Sequence, residues 1–308
     1  MATPEPPTRA LLIANRHSRQ GGQDLDVIVG LLEEHGFAID ARPVERPAEI
    51  GDLVRAAAGA VDLVILAGGD GTMNAAADAL VETGLPLAIL PCGTGNDLAR
   101  TLGIPTTIPE ALAVIIAGRR RAIDLGRING KHFFNVASIG LSAELIRHHT
   151  VERKRRLWLF AYLLSVRDAW RQSRPFSALL RCNGQTRRVR AMQIAIGNGR
   201  HYGGGMTVAE DAAIDDGRLD VYCLAPLTFW RLLALFPALR RGRLGRRRDA
   251  LILRCAEIEL ITRRPMPVNT DGELTTRTPA RIEVVPRALE VVVPAEETAK
   301  EETIDHAA

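Results

Sequence analysis

The sequence predicts an α/β fold in two parts, an N-terminal domain built on a parallel sheet and a C-terminal antiparallel β-sandwich. Three observations carry this. Apolar strands alternate with amphipathic helices over residues 9–125, the pattern of a parallel sheet covered on both faces. Glycine-rich turns stand at the ends of two of those strands, residues 68–72 and 93–97. Beyond residue 126 the helical period gives way to strands joined by Asn129-Gly130 and Asn183-Gly184, the residue pairs that tight hairpins require.

The elements follow in order. Residues 1–8 read as a flexible lead. "ALLIAN" is a buried strand ending at Asn15, and a polar loop, "NRHSRQGG", follows it. "LDVIVGLLEEHG" has apolar residues at helix spacing and closes on Gly36. "FAIDARPV", "IGDLVRAAAG" and "VDLVILA" give strand, helix, strand; "MNAAADALVETG" is the next helix, and "LPLAILPCGTGNDLARTLGIP" repeats strand, glycine turn and helix start. From 126 to 287 a β-rich domain is expected. Its strand candidates include "AIDLGRINGKHFFNVASIG", "SALLRCNGQTRRVRAMQIAIGNG", "RLDVYCLAP", "LILRCAEIELIT", "MPVNTDGEL" and "RIEVVPRALEVVVP", with two helices near 153–171 and 227–240. A strand at 288–294 is expected to return to the first domain. The acidic, aperiodic stretch 295–308 reads as a disordered tail.

The chain has 308 residues, 46% hydrophobic and 25% charged, with a formal net charge of +4. This composition suits a soluble protein with full cores. No apolar run reaches the length of a membrane span, and "ALLIA" is too short for a secretory leader. Cys92, Cys182, Cys223 and Cys255 are scattered, without metal-ligand spacing. They read as small buried hydrophobes in a reducing, cytoplasmic compartment.

Ligands of such parallel sheets bind beyond the carboxyl ends of the strands, where Asn15 and both glycine turns lie. A glycine turn that opens a helix offers free N–H groups and the positive end of the helix dipole, which suits phosphate. Two such turns on adjacent strands are more specific than one. The plain alternative is a pair of ordinary turns, with Asp97 supporting a helix N-terminus. Asp70, between bare glycines, fits a carboxylate that holds a hard cation beside a nucleotide, directly or through water.

GGDGT followed by PCGTGND resembles the diacylglycerol kinase catalytic-domain family, most closely the bacterial YegS-like lipid kinases. The match continues through "NGRHYGGGMTVAEDAAIDDGRLDV" and "NTDGEL", so it covers nearly the whole chain. The resemblance implies a nucleotide-binding domain like those of NAD kinases and phosphofructokinases, a β-sandwich domain and a cleft between them. It implies ATP and Mg²⁺ as cofactors, with the nucleotide at Asn15, Gly68, Gly69, Asp70, Gly71, Thr72, Met73, Asn74, Ala75, Gly93, Thr94, Asn96 and Asp97. Asp271 matches the general base that takes the proton of a lipid hydroxyl, with Glu273 in support; from the residues alone, Asp271-Gly272 reads equally well as a plain hairpin turn. A structural Mg²⁺ is implied at the Asp216 side chain and the carbonyls of Ala213 and Arg218, against the alternative of another turn. Asp211, Asp215 and Asp220 read as surface charges.

Two positions depart from the family pattern: Ala75 stands where many members have Glu, and Val44 where Thr is common. Two basic runs, "RHHTVERKRRLW" and "ALRRGRLGRRRDA", flank amphipathic helices, and six arginines fall within 240–248. They suit an anionic membrane surface or simply solvated helix ends, and His148 and His149 read as solvent-facing. With 4% aromatic residues and no recognition motif, nucleic acid is not an expected partner; a homodimer is left open. The expectation is an ATP-dependent kinase acting on a membrane lipid of the diacylglycerol or phosphatidylglycerol type, peripheral and reversible at the inner membrane surface. An NAD kinase-like enzyme with a soluble substrate and an inactive nucleotide-binding regulator are the alternatives.

Overall fold

The computed structural model describes residues 7–15, 25–141, 167, 170–171, 173–199, 201–202, 206–207, 213–231, 234 and 250–295. Most of the expected lead, whose last residue Thr8 instead opens the first strand, most of the "NRHSRQGG" loop, most of the helices near 153–171 and 227–240, Asp211, His148, His149, the arginines of 240–248 and nearly all of the tail lie outside the described residues.

The first part alternates as its sequence dictates: β1 (Thr8–Asn15), α1 (Leu25–Glu34), β2 (Phe37–Val44), α2 (Ile50–Ala56), β3 (Leu63–Gly68), α3 (Asp70–Thr83), β4 (Leu87–Pro91), α4 (Asp97–Thr101) and α5 (Ile108–Ala117). β1 pairs in parallel with β2 and β3, and β3 with β4. Every residue of β3 and β4 is buried, as expected of strands covered on both faces. α3 starts at Asp70, earlier than the sequence suggested, so the GDGT segment is the first helical turn rather than a free loop. It stops at Gly84, whose left-handed backbone lets its N–H return to the Leu80 carbonyl at 2.9 Å.

The second part comprises β5 (Arg120–Ile128), β6 (Lys131–Phe133), β7 (Val136–Gly140), β8 (Phe176–Cys182), β9 (Gln185–Ala191), β10 (Gln193–Gly197), β11 (His201–Tyr202), β12 (Met206–Thr207), β13 (Leu219–Leu224), β14 (Ala250–Cys255), β15 (Glu257–Thr262), β16 (Pro267–Thr270), β17 (Glu273–Arg277) and β18 (Ala280–Val292). Asn129-Gly130 and Asn183-Gly184 close two-residue hairpins with positive φ at both positions. Six strands form one sheet in the order β14-β13-β10-β7-β16-β17.

The two parts share the other sheet. Its order is β2-β1-β3-β4-β18-β15-β8-β9, with the β5–β6 hairpin branching from β18. β18 makes the join: its start pairs with β15, its end runs beside β4, and β5 follows most of its length. A register shift between Val285 and Leu289, with Arg287 at φ +51°, lets one strand serve both regions. Two apolar clusters result, one around β1, β3, β4 and the helices, the other between the sheets of the sandwich.

Two further expectations are corrected. Cys182 and Cys255 are joined as a disulfide, their Cα atoms 5.9 Å apart, while Cys92 and Cys223 are free and buried. Cys182 ends β8 and Cys255 ends β14, and the sheets' packing brings together residues that sequence spacing could not pair. Asp220 is not a surface charge: it is buried and accepts the Arg254 Nε–H at 2.7 Å.

Candidate active site

The two glycine turns meet backbone to backbone. A Cβ on Gly93 would overlap the Cα of Gly69, and one on Gly95 would come within 2.7 Å of Asp70 Oδ2. The glycines are thus needed so that strand ends β3 and β4 can bring α3 and α4 side by side. Asn96 shapes the second turn from within: Gly93 N–H donates to its Oδ1 at 3.0 Å, and its Nδ2 donates to the Gly93 carbonyl at 3.0 Å. Thr94 is left exposed at the turn's tip.

Asp70 is partly buried at the start of α3, and the Leu98 N–H reaches its Oδ1 at 3.3 Å. Burial raises its pKa, the Asp97 charge raises it further, and the backbone N–H groups of Leu98, Asp97 and Asn96 partly offset this. Asn15, at the end of β1, donates from Nδ2 to Thr72 Oγ1 at 3.3 Å, tying a third strand end to α3. Thr72 and Met73 are buried under the helix. Asn74 Oδ1 is buried and has no hydrogen-bond partner among the described residues. Ala75 packs against the apolar cluster, and Val44 is buried in it.

From the other side comes the β16–β17 hairpin, whose turn is Asp271-Gly272 with φ of +48° and +98°. Asp271 is a hairpin-turn residue and something more. Its Oδ2 accepts the Phe134 N–H at 2.7 Å, and its Oδ1 accepts those of Asn135 and Val136, each at 2.9 Å. Burial nevertheless pushes its pKa up to about 6; the three N–H groups lower it and the charge of Asp70 raises it. Glu273 is exposed, its Oε1 3.4 Å from where a Cβ on Gly71 would lie. Asp70, Asp271 and Glu273 therefore face one another across a cleft between the two parts.

The second acidic turn lies apart. Asp216 Oδ1 accepts the Arg218 N–H at 3.0 Å, closing an Asx turn that also contains Gly217. Burial raises the Asp216 pKa, with Asp220 and Asp124 adding to it and Arg218 opposing. Asp215 bonds Arg121 instead, with Nε at 2.9 Å. The turn is held by Asp124, a buried carboxylate that sequence reading passed over: its Oδ2 accepts the Gly217 N–H and its Oδ1 the Arg287 N–H, both at 2.7 Å. A single acid in the apolar strand "AIDLG" was the available signal. Asn198 links this turn to the cleft, donating from Nδ2 to the Asp124 carbonyl at 2.9 Å and the Phe134 carbonyl at 2.8 Å. The His201 N–H, from the same segment, donates to Thr101 Oγ1 on α4 at 3.2 Å. These contacts, and the amides of 134–136, carry no side-chain signature that spacing could reveal.

Comparison with known proteins agrees with this geometry. Residues 9–128 match the diacylglycerol kinase catalytic domain, and residues 135–293 match the YegS C-terminal NAD kinase beta sandwich-like domain. The chain is 33% identical over 293 residues to a Yersinia enterocolitica protein named "Probable lipid kinase YegS-like", covering 92% of this chain and 96% of that one. It is 33% identical over 280 residues to a protein of Mycobacterium tuberculosis named "Diacylglycerol kinase", covering 89% and 86%. A crystal structure of a candidate diacylglycerol kinase from Bacillus anthracis str. Sterne superposes with a TM-score of 0.78 at 26% identity, over 93% of this chain and 97% of that one. With both domains matched, and with glycine turns and hairpin carboxylate facing one cleft, the chain belongs to the diacylglycerol kinase catalytic-domain family of kinases, in its YegS-like branch.

Proposed function

We propose that this kinase transfers the γ-phosphate of ATP, with Mg²⁺, to a hydroxyl of a membrane lipid of the diacylglycerol or phosphatidylglycerol type. The observation that carries the reading is Asp271, a carboxylate gripped by three amides and facing Asp70 across the cleft. The residues present fit the nucleotide and the cation. The glycine turns form a cradle that a Cβ at 93 or 95 would fill, α3 offers its first-turn N–H groups, and Asn74 Oδ1, a buried acceptor without a donor among the described residues, suits a cation rather than a phosphate oxygen. Asp70, its proton affinity raised by burial and by Asp97, is the carboxylate a divalent cation would relieve. Asp216, with Asp220 and Asp124 near it, offers a second such position together with the carbonyls of Ala213 and Arg218.

In that reading the start of α3, Gly69 to Thr72, and Thr94 hold the phosphates while Met73 and Ala75 pack into the core beneath them, and Asp70 and Asp97 hold the metal. ATP supplies the phosphoryl group and the cation neutralises its charge; the chain supplies position and a proton acceptor. Oδ1 of Asp271 takes two amide donors and Oδ2 only one, so Oδ2 retains the lone pair for the acceptor hydroxyl's proton. Glu273, beside Gly71, adds negative charge on the acceptor side. Among the described residues no helix is long and apolar enough to cross a membrane, so reaching a bilayer lipid calls for reversible docking. The arginines of 240–248 are proposed for it. Incubation with radiolabelled ATP and a panel of diacylglycerol, phosphatidylglycerol, ceramide and NAD tests the reading. Label in a lipid is expected; label in NAD alone would overturn it.

A further inference from the structure

We propose that Asp78 and His132 form a positioning clamp that fixes the cleft, setting Asp271 against Asp70. The clamp stands outside the site described so far. One oxygen of Asp78, Oδ1, accepts both the backbone N–H of His132 and its ring Nδ1, each at 2.9 Å, while Oδ2 takes Lys131 Nζ at 3.0 Å. The His132 side chain is 11% exposed. Burial opposes the charge on Asp78, but the hydrogen bonds from His132 and Lys131 outweigh it and hold the carboxyl well below the usual range. Among the described residues, the hydrogen bonds joining α3 to β6 all end on Asp78.

The position of this bond gives it consequence. His132 lies in the short connection between the two matched domains, residues 129–134. Two residues on, the Phe134 N–H meets Asp271 Oδ2, and the next two amides hold Oδ1. Asp78 lies on the same helix as Asp70, eight residues along, about 12 Å at 1.5 Å per residue. The contacts therefore close a frame: the Asp70-Gly71 start of α3, the rigid helix, Asp78, His132, the amides of 134–136, Asp271, and its hairpin neighbour Glu273, whose Oε1 comes back to within 3.4 Å of a Cβ placed on Gly71. Removing one side of a closed frame lets the opposite corner move. The other charges around His132 are engaged elsewhere: Glu82 bonds Arg55 at 2.6 Å, and Arg127, across from His132 on β5, bonds Glu283 at 2.9 Å.

The clamp rests on Asp271 being the base, and the test separates the two. Misplacing reacting groups by about 1 Å can cost 10²-fold. Asp78→Ala should thus lower kcat by about 10- to 100-fold, leave KM for ATP within about twofold, and shift the acidic limb of the kcat–pH profile. His132→Ala, which loses the ring bond but keeps the main-chain N–H and Lys131 on Asp78, should give a smaller loss of about 3- to 10-fold with the same shift of the limb, whereas His132→Asn, whose amide nitrogen can occupy the place of Nδ1, should recover most of the turnover. If Asp78→Ala does not fold, the comparison of His132→Ala with His132→Asn decides alone. Full turnover in both alanine variants, or losses with an unshifted limb and no rescue by Asn, would overturn the clamp. Full turnover in Asp271→Asn would instead overturn the base, and the clamp with it.

Discussion

Asp271→Asn should abolish transfer and yet stabilise the fold at neutral pH, and the two effects share a cause. The carboxyl has a folded-state pKa of about 6 against an ordinary 3.8, because burial, with the Asp70 charge, outweighs three amide donors. Ionised Asp271 is therefore a liability to the fold. The wild-type protein draws its full stability from this group below about pH 3.8 and loses it as pH rises toward 6. A gap of about 2 pH units at ~1.4 kcal/mol each corresponds to roughly 3 kcal/mol, an upper bound because the residue is only partly buried. Asparagine cannot ionise, and its Oδ1 can keep the amides of Asn135 and Val136. Its NH₂ group would face the Phe134 N–H, a loss of roughly 1–2 kcal/mol. The variant should therefore exceed wild type by about 1–2 kcal/mol above pH 6 and fall below it near pH 4. Urea titrations of both proteins from pH 4 to 8 measure the difference directly. In a radiolabel assay, turnover should fall by about 10²–10⁴-fold while ATP affinity stays within about twofold. A stability difference that does not vary with pH would refute the burial argument, and unchanged turnover would refute the base.

Asp70→Asn is expected to remove the Mg²⁺ dependence of ATP binding, read by calorimetry with and without the metal; an undiminished Mg²⁺ effect would give the carboxylate another task. Gly93→Ala drives a methyl into the Gly69 backbone, where no side chain can swing aside, so a destabilisation of about 1–3 kcal/mol and weaker ATP binding are expected from thermal melts and calorimetry. A melt and affinity like wild type would show that the two turns do not depend on this contact. Changing Arg246, Arg247 and Arg248 to Ser should lower activity on anionic vesicles and spare activity on a short-chain, water-soluble lipid, with vesicle binding weakened by salt. Equal losses on both substrates would place these arginines in the fold or the active site.

The parallel strands were legible because burial on both faces leaves an unmixed apolar run, as in "LVILAG" and "LAILP". The hairpins at Asn129 and Asn183 were legible because positive φ at two successive positions narrows the choice of residues. The start of α3 was misjudged for a related reason: glycine next to Asp70 reads as a breaker, whereas here Gly71 occupies the first turn facing Glu273. Asp271 was visible as a turn, but its three donors are main-chain amides of residues 134–136, and any sequence there supplies an N–H. Asp124 escaped notice because its partners, the amides of Gly217 and Arg287, are likewise anonymous. A returning strand was legible, but not that one continuous strand, β18, makes the join or which strands it pairs with, because it changes partners at a bulge and pairing is a property of two strands rather than of one.

On the proposed reading, the base comes from one part of the chain and the phosphate cradle from the other, and the carboxylates between them give that division a consequence. The amides of 134–136 favour the charged form of Asp271, burial disfavours it, and the balance falls near pH 6, so the group is ionised at neutral pH yet not far from taking a proton. A base fixed much lower would be fully charged but a poor acceptor. Asp70 contributes to that balance only while α3 and the hairpin face each other, because its influence on Asp271 is electrostatic and falls with distance. On the proposed reading, the nucleotide brings negative charge and its cation positive charge to the start of α3, and their balance together with Asp70 sets how strongly Asp271 holds a proton. On the proposed reading, the geometry of the interdomain connection therefore influences the strength of the base as well as its position.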